Sequence, residues 1–391
     1  MAFQITAVVV GWQVYALTQS TFELGLVGLM QFVPMILLTL PAGHVADRYD
    51  RRTVVRTCQA IEGLVAVLLA VGTVEGALGT RAIFAAVAAL GAARAFESPT
   101  VSALLPGVVS AERLPQALAL SASAMQTAFV LGPALGGALY LLGAEVAYAA
   151  VAFLFFAASV LMASIRMERR PPPREPPTLA SLLSGFVFIR DNPMVLGAIS
   201  LDLFAVLLGG ATALLPVFAR DILRTSPVGL GLLRAAPAVG ALVTSLVLAR
   251  YPLRRHVGLK MFGAVALFGL ATVVFGLSTS FPLSLFALAV LGAADVVSVV
   301  VRSSLVQVAT PDAMRGRVSA VNSMFIGTSN QLGEFESGAT AALFGTVPAV
   351  VVGGLGTIVV AGLWSALFPS LRGVQNLSVD LEKDRAPRKS V

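Results

Sequence analysis

Charge is scarce in this chain. Of 391 residues only 12% are Asp, Glu, Lys or Arg, while 57% are hydrophobic and the mean hydropathy is +0.88. Soluble domains carry roughly 25% charged residues, so these cannot cover an ordinary water-facing surface, and the bilayer must serve as solvent. Cysteine is almost missing: the single Cys58 excludes a disulfide framework. Histidine is as rare, and His44 and His256 lie far apart, so a metal site finds no ligand set and a nucleophile–base pair finds no base. No G-x-x-x-x-G-K-[ST] loop occurs, which removes an ATP-driven pump. No cofactor and no metal is called for, no residue is proposed as catalytic, and the chain is expected not to be an enzyme.

What is present is a succession of apolar runs. A helix needs ~20 apolar residues to cross ~30 Å of hydrocarbon. Runs between polar breaks predict helices near 1–17, 24–45, 54–74, 82–105, 116–142 and 145–165, then near 194–217, 228–249, 259–278, 283–304, 318–345 and 347–369. The expected fold is an all-α integral membrane protein of twelve transmembrane helices. Its parts are a six-helix bundle over 1–168, a linker over 169–192, a second bundle over 193–371 and a tail over 372–391. The linker opens on Arg169-Arg170-Pro171-Pro172-Pro173-Arg174, too charged and proline-rich to cross a membrane. It closes on Leu179–Ile189, a short apolar stretch expected along the membrane surface. The first helix is short and has no basic residue before it, so the true start is expected upstream of Met1.

Lysine and arginine set the orientation. Alternate loops, the linker and the tail hold 21 of the 27 basic residues, among them Arg48, Arg51, Arg52, Arg113, Arg255 and Arg317. The opposite loops hold only Arg81, Arg220 and Arg224. Both termini and the linker are therefore expected in the cytoplasm, in a cell (inner) membrane. The net charge of +7 follows from this asymmetry, so no nucleic-acid partner is inferred.

An offset of about 201 residues superposes the two halves. Leu90-Gly91-Ala92-Ala93-Arg94 falls on Leu291-Gly292-Ala293-Ala294-Asp295, and Gly132 and Gly137 fall on Gly333 and Gly338. Two parallel, pseudo-symmetric six-helix halves joined in the cytoplasm are the architecture of a rocking transporter with a site near mid-membrane.

Two motifs sharpen this. Gly43-His44-Val45-Ala46-Asp47-Arg48-Tyr49-Asp50-Arg51-Arg52 resembles the G-x-x-x-D-R-x-x-R-R signature of the major facilitator superfamily, placed between helices 2 and 3 as in that superfamily. Gly43 permits close helix approach, Asp47 can cap a segment or hold a cation, and Arg48, Arg51 and Arg52 anchor the cytoplasmic face as a gating loop. The plain alternative is a positive-inside loop. Gly132-Pro133-Ala134-Leu135-Gly136-Gly137 on helix 5 resembles the superfamily's antiporter element, against the alternative of an ordinary kinked, glycine-rich helix. Residues 91–106, 310–322 and 329–338 are similar to the bacterial family that contains the enterobactin exporter. The resemblance implies the twelve-helix fold and a secondary transporter, with helices 1, 4, 7 and 10 lining the cavity.

Charges at membrane depth usually face a cavity or a partner. On the lining helices stand Gln4 and Gln13, Arg94 and Glu97, Asp202, and Asp295 and Arg302. Gln4, Gln13, Arg94, Glu97 and Arg302 are cavity candidates. Asp202, Asp295, Glu334 and Glu336 are proton-coupling candidates, Asp202 foremost. Arg94 and Asp295 occupy equivalent repeat positions and are expected either to pair across the cavity in one access state or to be satisfied within their own halves. Arg234 on helix 8 is expected to snorkel outward. The preferred reading is proton-coupled efflux of a small amphiphilic molecule, siderophore-like or drug, by a monomer whose partners are that substrate, protons and membrane lipid. The alternative is uptake by symport on the same fold.

Overall fold

The computed structural model describes residues 1–110, 112–165, 179–253, 255–311 and 314–375. The proline-rich part of the linker and most of the tail lie outside the described residues. Among the described residues all regular structure is helical. The transmembrane helices are α1 (Ala2–Thr18), α2 (Thr21–Arg48), α3 (Arg51–Val74), α4 (Thr80–Val108), α5 (Leu114–Tyr140), α6 (Ala144–Ser164), α7 (Pro193–Leu208 and its continuation), α8 (Pro227–Arg250), α9 (Val257–Leu277), α10 (Phe281–Ala309), α11 (Arg315–Phe344) and α12 (Thr346–Leu367). Ten of these are long and apolar enough to cross a bilayer. The remaining two are α1, which is shorter, and α11, which carries Asn322, Asn330, Gln331, Glu334 and Glu336.

Local chemistry starts these helices where it does. Ser20 caps α2 by accepting from the Glu23 amide at 3.3 Å, with the acidic residue three places on, as in a capping box. Asn192 accepts from the Val195 amide at 3.3 Å, and Pro193 follows it at the first helical position of α7. The turns from α5 into α6 and from α11 into α12 rest on Gly143 (φ 125°) and Gly345 (φ 91°), a backbone region that costs glycine least. These two glycines stand 202 apart, so the repeat extends to its tightest turns.

One element departs from expectation. The seventh run reads as one helix over 194–217, but α7 ends at Leu208 and resumes as a 3-10 turn (Ala211–Leu214), a short α-turn (Leu215–Val217) and a π-turn (Phe218–Ile222). Gly209 and Gly210 carry no side chain to hold the helix. A Cβ on Gly210 would lie 2.7 Å from the Ser337 Oγ of α11. Such breaks are tolerated at membrane depth where surrounding protein satisfies the backbone.

By its packing the chain forms two units: Met1–Thr178 with Thr212–Ala235, and Leu179–Ala211 with Ala236–Val391. The last part of the seventh span and the start of α8 thus pack with the first six helices. In unit 1, α1 is the most enclosed helix, with Ile5, Val8, Val9 and Val14 all fully buried. In unit 2 the core gathers Leu201, Met261, Val301, Leu305 and Leu371. The linker helix Leu179–Asp191 packs on α11, where Arg317 donates to the Ser184 hydroxyl at 3.3 Å.

Equivalent glycines serve equivalent contacts in the two units. A Cβ on Gly91 of α4 would strike the Gln31 carbonyl of α2, and one on Gly292 of α10 would strike the Pro237 carbonyl of α8. Gly132 of α5 sits against Gln4 of α1, while Gly333 of α11 sits 3.0 Å, as its Cβ would, from the Val206 carbonyl of α7. Small residues let helices approach where lipid offers no hydrophobic drive for them to associate.

Candidate functional site

In unit 2, α7 supplies Asp202, and α10 supplies Asp295 and Arg302. The latter pair lie seven residues apart, two turns, and so share a face of α10. Arg302 forms an ion pair with Asp202, and only 4% of the arginine is exposed. Asp202 and Asp295 line one small pocket with Val206, Phe268, Ala294 and Ser298, with room for about one water molecule. Two carboxylates and one guanidinium are thus gathered out of water. Two residues before Asp202 on α7, Ser200 accepts from Trp364 of α12 at 2.9 Å, a bond that fixes the helix carrying Asp202.

Unit 1 holds its own cluster between α3 and α4. The Arg94 guanidinium lies over the Phe3 ring of α1, 3.6 Å from its centroid. Glu97 accepts a 2.9 Å hydrogen bond from the Gln59 amide group of α3. One turn on from Gln59, Glu62 is 2% exposed, and its Oε2 has no hydrogen-bond partner among the described residues. Glu62 lies within electrostatic reach of both Glu97 and Arg94. Glu62 was not singled out from the sequence. The signal was there, a lone acid inside the apolar run 54–74, but helix 3 is not one of the lining helices that the resemblance implies. Of the two positions equivalent in the repeat, Arg94 lies over Phe3 inside unit 1, and Asp295 shares a pocket with Asp202 inside unit 2.

The remaining candidates are placed elsewhere. Gln13 is held by Tyr148, whose hydroxyl donates to its Oε1 at 2.6 Å, and by Thr73 at 3.4 Å, so it ties α1 to α3 and α6. Gln4 packs its Cβ against Gly132. Glu336 accepts from Thr340 one turn along α11 at 2.8 Å, and neither it nor the half-buried Glu334 lines the pocket of Asp202 and Asp295. Arg234 does not snorkel outward: it donates to the Ala7 carbonyl at 3.3 Å, because α8 starts beside α1 within unit 1. A contact no motif announced stands nearby, where the Tyr15 hydroxyl of α1 donates to Asp221 in the π-turn.

In the gating loop the side chain of Asp47 lies outside the described residues. Arg48 is exposed. Asp50 caps α3 by accepting from the Arg52 amide at 2.9 Å, and the Arg52 guanidinium pairs with Asp50 at 2.8 Å while donating to the Ile165 carbonyl at the end of α6. The hydrogen-bonded guanidinium holds the Asp50 carboxyl below the usual carboxylate range. Gly43 lies half-buried near the end of α2. The helix 5 element is a packing surface. Besides Gly132 on Gln4, a Cβ on Gly136 would lie 3.1 Å from the Ile5 Cα, and one on Gly137 would strike the Pro227 carbonyl. The Pro133 carbonyl, in turn, meets Gly231 of α8.

Residues 2–383 match the family described as transmembrane secretion effector. The chain belongs to this family, a branch of the major facilitator superfamily. It is 30% identical to the enterobactin exporter EntS of Citrobacter koseri over 375 residues, covering 94% of this chain and 88% of that protein. The EntS of Shigella boydii serotype 18 is 29% identical over the same shares. Among solved structures, a bacterial homologue of the lysosomal transporter Spinster superposes with a TM-score of 0.73 at 13% identity, covering 95% and 97% of the two chains. A bacterial homologue of ferroportin superposes at 0.68 with 16% identity and the same coverage. As a transmembrane secretion effector the protein is a multi-pass membrane transporter and not an enzyme. Its fold is the two-bundle fold that the internal repeat implies.

Proposed function

We propose that this protein exports a small amphiphilic molecule, siderophore-like or drug-like, by alternating access, in exchange for protons. The buried Asp202–Arg302–Asp295 cluster carries the reading. With both carboxylates ionised the cluster bears one uncompensated negative charge, an expensive arrangement away from water. One proton from outside removes it. Arg302 is committed to Asp202, so Asp295 is the group that takes the proton, and Asp202 holds Arg302 in place rather than carrying the proton itself. Release of that proton to the cytoplasm restores the charge, and the two states of the cluster favour different access states.

Export rather than uptake is supported by the Gly132–Gly137 element and by the likeness to enterobactin exporters. The uneven spread of basic residues between alternate loops supports a cytoplasmic linker and cytoplasmic termini. The working unit is a monomer.

The test is proton movement by the purified protein in proteoliposomes on adding enterobactin and a panel of lipophilic cations. Compound-dependent proton flux that disappears in Asp295→Asn supports exchange through this cluster. Compound flux without any proton flux would overturn the coupling, and flux requiring a co-directed proton gradient would reverse the direction.

A further inference from the structure

We propose that the pocket of Asp202 and Asp295 binds a small monovalent cation, Na+ or Li+, in competition with the proton. The side chains that face this space carry the inference. Ser298 of α10 is only 6% exposed and lines the pocket, and its hydroxyl makes no hydrogen bond among the described residues. It stands one turn after Asp295 and one turn before Arg302, on the same face of α10. Asp295 also lines the pocket, with no hydrogen bond or ion pair among the described residues. A buried hydroxyl and carboxylate left this way forgo the partners that would offset their desolvation. The space they face has room for about one water molecule, which is the scale of a bare alkali cation.

The donor set selects the ligand. Asp202, Asp295 and Ser298 offer oxygens only, and carboxylate and hydroxyl oxygens suit a hard cation. Arg302 is paired with Asp202, so the uncompensated negative charge falls to Asp295. The walls add no further charge: α9 contributes Val265 and Phe268, and α7 contributes Ala205 and Val206 beyond Asp202. Val206 lies in the last turn of α7, where the carbonyl end of a helix is itself partly negative. One positive charge therefore balances the pocket, and a divalent ion would leave an excess of the opposite sign. A proton and an alkali cation both neutralise Asp295, but there is only one charge to cancel. The cation is held while the acid is ionised and is expelled by acidification.

The inference rests on the proton-exchange reading only for the identity of the competitor, and it is tested without any cargo. Binding of radioactive Na+ to the full chain in detergent is measured by equilibrium dialysis over a series of pH values. Choline chloride, whose cation is too large for the space, holds the ionic strength constant. The expected result is saturable binding of one Na+ per chain, displaced by Li+. Its apparent Kd rises about tenfold for each pH unit of acidification once the acid takes up its proton. Asp295→Asn abolishes the binding at every pH. Ser298→Ala keeps the acid and the pH dependence but weakens binding by about tenfold. Absence of saturable Na+ binding by the unsubstituted protein, even in alkali, would overturn the site, whether or not either variant folds. Binding that ignores pH would overturn the competition, and binding unchanged by either substitution would overturn the placement. Failure of compound-driven proton flux would remove the exchange reading and leave the Na+ isotherm as measured, so the two fail separately.

Discussion

In unit 2 the guanidinium is spent on a carboxylate: Arg302 pairs with Asp202, and Asp295 shares their pocket. In unit 1 Arg94 lies instead on an aromatic face, Glu97 accepts from Gln59, and the Oε2 of Glu62 has no hydrogen-bond partner among the described residues. The same buried charge is thus held tightly in one unit and loosely in the other. Equal inventories on a repeated scaffold need not give equal devices, because one turn of helix decides whether an arginine meets an acid or a ring.

The sharpest way to break this comparison is to remove each arginine. Arg302→Leu leaves Asp202 and Asp295 buried without their counter-charge, a loss of ~3–5 kcal/mol in thermal unfolding in detergent. Arg94→Leu removes a cation–π contact of ~0.5–2 kcal/mol and a nearby counter-charge, but leaves the half-buried Glu97 bonded to Gln59, so it shifts the transition less. Equal shifts would erase the distinction. A second contrast sets a charged hydrogen bond of unit 1 against a neutral one of unit 2. Tyr15→Phe leaves the exposed Asp221 to water and should cost ~0.5–1 kcal/mol, no more than Trp364→Phe, which frees the half-buried Ser200, at ~0.5–1.5 kcal/mol. The same melts read both.

Where the units agree, their variants should agree. Gly91→Ala and Gly292→Ala each push a methyl group into a facing carbonyl and should destabilise alike, by ~1–3 kcal/mol. A neutral outcome at one site alone would show that the packing is not equivalent. The smallest effect belongs to the loop before α3. Asp50 is held below its usual range by Arg52, so its contribution is present above the ordinary carboxylate range and is lost as pH falls through the depressed value. Asp50 and Arg52 are partly exposed, so Arg52→Gln should flatten that acid-side loss only slightly.

The fold was legible because ten of the spans advertise themselves by length and apolarity, and Gly91 and Gly292 repeat in register. The break in α7 was not, since Gly209-Gly210 inside an apolar run leaves hydropathy unchanged. At the site, Asp202, Asp295 and Arg302 were each visible as charges on lining helices, but their gathering around one pocket depends on the crossing of α7 and α10. Glu62 is visible too, as a lone acid in an apolar run, but helix 3 is not among the lining helices that the resemblance implies. The bond from Tyr15 to Asp221 joins residues 206 apart in the chain, and no local pattern marks either one.

The lone Cys58 is buried against Val54 and Ala93, one turn from Glu62. A thiol introduced at any exposed position will therefore outcompete it for maleimide, and the unsubstituted protein is its own blank. The slow reaction that Cys58 itself undergoes is a clock for how often the α3–α4 seam opens. Its rate at fixed pH, followed against temperature, reports the breathing of that seam without any thiol being added to it.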